Sequence, residues 1–179
     1  MGAGMLVSKT SQNESITFRI DSQKLKTLRE CADENQVSLN TLVNQILTGY
    51  IEWDMVAVKA GYATIQKDIL KEMFEAVDEE ALRSIALKTA DSSKDIMLVM
   101  TGQVSLEAFF SILRNRAKRS GFTFREYEEN GMKKFILQHE MGRNWSVFFK
   151  IHCERLVNNA GHKAKVEFTD NTLIITVPA

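Results

Sequence analysis

The sequence predicts an α+β protein, and three patterns in it carry that prediction. Apolar residues recur at helical spacing from Ser22 to Ser120, almost without interruption. The tail from Phe122 onward turns to two-residue alternation, organised around an Asn130-Gly131 dipeptide. Near the N-terminus, one isolated stretch, Ser15 to Ile20, alternates strictly between polar and apolar side chains. Composition agrees: of 179 residues, 44% are apolar and 26% charged, and one is a proline, which suits a folded, helix-rich chain. Its 23 basic and 23 acidic residues cancel, which argues against a uniformly basic protein that coats nucleic acid indiscriminately.

The elements follow in order. Residues 1–13 have no periodicity and are expected to form a flexible arm carrying Lys9. Ile16, Phe18 and Ile20 then share one face of a short strand, with Ser15, Thr17 and Arg19 on the other. Asp21 or Ser22 caps a helix to about Asn35, with Leu25, Leu28, Cys31 and Ala32 as its apolar stripe. After Asn35-Gln36-Val37, Ser38 caps a second helix that turns Leu39, Leu42, Val43, Ile46, Leu47, Tyr50 and Ile51 inward. The pattern breaks between Trp53 and Tyr62, which sets the expected domains at 14–54 and 62–179. Four helices are expected next, at Thr64–Ala76, Glu79–Ala90, Ser93–Gln103 and Leu106–Ser120, the last closed by Gly121. The tail reads β-β-α-β-β: Phe122–Glu129, Met132–Glu140, a helix over Asn144–Asn159, then Lys163–Thr169 and Thr172–Val177.

No enzyme signature is present: there is no glycine-rich phosphate loop, paired CxxC, HExxH or GxSxG, so neither catalysis nor a cofactor is expected. His139, His152, Cys153 and His162 are the soft or borderline ligands of the tail. His152 and Cys153 diverge by about a hundred degrees on a helix, so no metal centre is expected. The Arg114–Arg119 run reads as cations at the negative end of a helix rather than as a second DNA contact. No apolar run approaches the ~20 residues a bilayer needs, and Met1–Val7 lacks the features of a secretory leader. With two cysteines far apart, the expectation is a reduced, cytoplasmic protein without a membrane partner.

One strand and two helices cannot bury a core alone, and an isolated strand leaves its backbone unpaired. A second copy solves both problems if the two strands pair antiparallel. The order of strand, capped helix, short turn and Ser-capped helix over about residues 14–54 resembles the ribbon-helix-helix DNA-binding family, which includes Arc and MetJ. That resemblance implies a dimer whose two-stranded ribbon enters the major groove. Ser15, Thr17 and Arg19 would then read base edges, with Arg19 suited to guanine. Ser38 and the amides around Leu39, Asn40 and Thr41 would clamp a phosphate at a helix N-terminus. Ile16, Phe18, Ile20, Leu42 and Ile46 would form the dimer interface.

Many members of that family carry glycine where Gln36 stands, so either Asn35 supplies the left-handed residue or the turn differs. Residues 1–54 hold five basic and seven acidic side chains, which weakens non-specific attraction to DNA. The expectation is therefore a dimeric or higher even-numbered oligomeric transcriptional regulator, a repressor by class, with an α+β tail for sensing or interaction. An antitoxin-like chain whose tail binds a protein partner, or a regulator sensing metal or a small molecule through that tail, stands as the alternative.

Overall fold

The computed structural model describes residues 14–178. Its architecture is α+β: a helical N-terminal part and a four-stranded antiparallel sheet packed with helices. The chain divides into two compact units at Ile46/Leu47.

In the first unit, helix α1 spans Ser22–Glu34, and the Asp21 carboxylate caps it by accepting from the Gln23 and Lys24 amides at 3.0 and 3.2 Å. It ends in a turn in which Gln36 takes φ 55°, with the Gln36 amide bonded to Asp33 and the Val37 amide to Ala32. This is the paired-bond helix stop usually built on glycine, with Gln36 rather than Asn35 in the left-handed position. Helix α2 spans Leu39–Gly49, and the Ser38 hydroxyl accepts from the Thr41 amide at 3.0 Å.

Two expectations for the strand and the second helix change. Residues Glu14–Ile20 hold no regular secondary structure in the single chain. A strand exists only through a neighbour's hydrogen bonds, and the described residues of this unit offer none. Leu39, Leu42 and Val43 are half-buried as expected, but Ile46, Leu47, Tyr50 and Ile51 are exposed rather than inward.

Beyond Gly49 the helix runs on as a π-helical turn, Tyr50–Asp54, and a last α-helical turn, Met55–Ala57. The extra residue of the wide turn changes the helix phase. Trp53 and Ala57, four apart, are buried in the core of the second unit, while Met55 and Val58 stay exposed. After a turn at Gly61 come α3 (Lys67–Glu75), α4 (Glu79–Thr101) and α5 (Leu106–Arg119).

Helix α4 joins what the sequence divides into two. Asp91-Ser92-Ser93 resembles a break, but the helix neutralises each polar group in place. The Ser92 and Ser93 hydroxyls donate back to the Thr89 carbonyl, and Asp91 accepts from Arg155 and Asn159. The helix stops at Gly102, which takes φ 72°.

The tail has the expected order: β1 (Thr123–Glu129), β2 (Met132–Gln138), α6 (Arg143–Asn159), β3 (Lys165–Phe168) and β4 (Thr172–Pro178). Asn130 and Gly131 both have positive φ, as a two-residue hairpin whose twist matches its strands requires. The sheet order is β1-β2-β4-β3, all antiparallel. Phe124, Phe135, Leu137, Leu173, Ile175 and Val166 share one face, and the Phe110 ring of α5 stacks on Phe135 at 3.6 Å between centroids. Helices α4 and α6 pack along each other, with Ala86 and Ala90 on one side and Phe148, Phe149 and Cys153 among the core residues of the other. Among the described residues no single helix is long and apolar enough to cross a membrane.

Candidate functional site

The residues expected to meet DNA all lie in the first unit. Ser15, Thr17 and Arg19 are exposed, as are Ile16 (74%), Phe18 (54%) and Ile20 (42%) between them. Three large apolar side chains stand in water at two-residue spacing, an exposed apolar row in a segment without regular secondary structure. Of the residues from Glu14 to Ile46, only Ala32 is fully buried. Ile46 is half exposed and Leu42 half-buried. Lys9 lies outside the described residues.

At the start of α2 the Ser38 hydroxyl is already engaged by the Thr41 amide and lies 2.8 Å from the Thr41 hydroxyl. Among the described residues, the Leu39 and Asn40 amides keep no intrachain acceptor. A helix start with two free N–H groups and adjoining hydroxyls has the chemistry of a phosphate contact. Asn40 serves the helix as well, its carbonyl accepting from the Asn44 side chain.

The basic run of α5 is spent within the second unit. Arg114 pairs with Glu126 at 2.9 Å and with Glu107 at 3.9 Å. Arg119 pairs with Asp54 and donates to the Gly49 carbonyl at 3.0 Å. Arg116 lies between aromatic rings, 5.5 Å from the centroid of Tyr62 and 5.3 Å from that of Phe149. Rather than only balancing the helix end, these cations tie α5 to its neighbours.

The histidines do not converge, and no cluster of metal-binding side chains occurs among the described residues. His139 is fully buried against Trp145, at 4.1 Å between ring centroids. Its Nδ1 accepts the Met141 amide at 3.0 Å, so Nε2 carries the proton and donates to the Ser146 hydroxyl at 2.9 Å. Burial, with Lys67 adding repulsion, brings its pKa down to about 4. His152 faces Thr89, with Nδ1 3.2 Å from the hydroxyl, and burial with Arg116 nearby lowers it to about 4 as well. Cys153 is buried beside it, and desolvation pushes its thiol up to about 12, so it is an inert core residue. Cys31 is half-buried and, like Cys153, free. His162 is exposed.

Sequence reasoning missed a cavity of about 450 Å³ in the second unit, bordered by the π-helical turn, the loop after Gly61 and α5. It draws on residues from Trp53 to Met141, and no local spacing announces it. No protein-family model matches the chain, and no curated protein is significantly similar to it.

Proposed function

We propose that the protein is a sequence-specific DNA-binding transcriptional regulator that works as a dimer through an N-terminal ribbon-helix-helix. The observation that carries this reading is the unfinished state of the first unit. A strand-length segment exposes Ile16, Phe18 and Ile20, ahead of two capped helices that bury only Ala32 completely. A second copy supplies what is missing. The two segments pair as an antiparallel ribbon, the three apolar side chains turn onto the helices, and Ile46 with Leu42 gains a partner across the two-fold axis.

The same pairing determines the outer face. Ser15, Thr17 and Arg19 appear twice on the ribbon, and a ribbon of two strands fits the major groove. The left-handed turn at Gln36 and the Ser38 cap support the likeness to the family on its two helical elements. With few cations nearby, binding relies on base contacts more than on a sea of phosphate contacts, so its sequence discrimination is high relative to its salt dependence.

Arg19→Ala tests the reading at the residue level. On a duplex carrying the preferred half-sites, the substitution should cost about 1–3 kcal/mol by fluorescence anisotropy, and much less on a scrambled duplex. Equal losses on both would reduce Arg19 to a phosphate contact.

A further inference from the structure

The cavity of about 450 Å³ in the second unit falls in the size range of small-molecule sites, about 300–1,000 Å³. Its apolar wall is part aromatic and part aliphatic, and its charged groups are three cations and one carboxylate: Trp53, Tyr62 and Phe122 border it together with Lys67, Arg116, Arg119 and Asp54. The three cations differ in what they already hold. Arg119 is neutralised by Asp54, which also lines the cavity. Lys67 lies over the Phe122 ring and reaches Glu140 at 3.7 Å. Arg116 has no carboxylate partner among the described residues. Its guanidinium is half-buried between the Tyr62 and Phe149 rings, a position that fixes its direction and strips part of its water.

A guanidinium held this way retains its charge and presents a planar fork of donors, which matches a carboxylate in geometry and sign. Tyr62 adds a neutral phenol hydroxyl, which burial moves still further from ionisation. We propose that this cavity binds a small organic monoanion with a flat apolar body, of the aromatic carboxylate class. The carboxylate pairs with Arg116, and the ring lies among Trp53, Tyr62 and Phe122. One uncompensated cation sets the preference for a single negative charge. A body of about two fused rings fits within this volume. The wall formed by Trp53 and Ala57 belongs to the helical extension of α2, within and just after the π-helical turn. The inference stands apart from the DNA-binding reading, since every group it uses lies in the second unit.

Isothermal titration of the full-length protein with 1-naphthoate, and separately with its neutral amide, tests it at near-physiological salt. The expected result is saturable binding of one naphthoate per chain, with the amide at least about tenfold weaker. Arg116→Gln should weaken naphthoate by at least about tenfold and leave the amide unchanged, while Arg116→Lys should fall between. If Arg116→Gln loses its helical circular dichroism, Ala63→Trp decides. Ala63 is exposed at the mouth of the cavity, and a bulky ring there should abolish uptake. Equal affinity for acid and amide, no saturation by about 1 mM, or full binding by folded Arg116→Gln or Ala63→Trp would overturn the proposal.

Discussion

Between pH 7 and pH 4 the second unit is expected to lose a substantial part of its stability, through His139 and His152 acting together. Both are neutral and buried in the folded chain, with pKa values brought down to about 4 from the ordinary 6.5. Unfolded, each takes up a proton near pH 6.5; folded, each refuses it until about pH 4. The unfolded state therefore binds more protons throughout that window, and stability falls as pH falls. The contribution is complete above pH 6.5, is lost as pH drops to about 4, and changes little below that. A shift of this size corresponds to roughly 3 kcal/mol per histidine, against a typical total of about 5–15 kcal/mol for a domain. Protonation of His139 has a specific structural cost, because its Nδ1 is the acceptor for the Met141 amide. Guanidinium melts followed by tryptophan fluorescence report on this unit alone, since Trp53 and Trp145 are the chain's only tryptophans and both lie in it. His152→Gln should roughly halve the pH dependence. A midpoint that stays constant from pH 7 to pH 5 would contradict the account.

Phe18→Asp is expected to abolish both dimerisation and DNA binding while leaving the second unit folded. In the single chain Phe18 is exposed, so an aspartate there costs the monomer little. In the paired ribbon the same carboxylate would be buried against apolar helix faces without a partner, at a cost of several kcal/mol. Light scattering at micromolar concentration should give a dimer for the natural chain and a monomer for the variant, with unchanged tryptophan fluorescence. Thr17→Ala, on the opposite face, should keep the dimer. A dimeric Phe18→Asp protein would mean that other surfaces hold the copies together.

What the sequence makes legible here is what depends on local chemistry. The Asp21 and Ser38 caps, the Asn130-Gly131 hairpin and the β-β-α-β-β order are each written within a few residues and reappear in the structure. The continuity of α4 is not local. Asp91 is tolerated because Arg155 and Asn159, more than sixty residues away, come alongside it. The burial of Trp53 is likewise hidden, because the core residues around it, such as Ala117 and Trp145, come from distant parts of the chain. Gln36 adopts a backbone conformation that costs little at glycine and more elsewhere, so a rule based on glycine overlooks it. The cavity around Arg116 is assembled from three distant stretches and is the least legible feature of all.

The ribbon reading is most directly tested by selecting bound duplexes from a random DNA pool with the full-length protein. A two-stranded ribbon carrying Ser15, Thr17 and Arg19 twice predicts recovery of short half-sites in a symmetric or regularly repeated arrangement, with loss of enrichment for Arg19→Ala. A recovered pool no different in sequence from the starting one would contradict it.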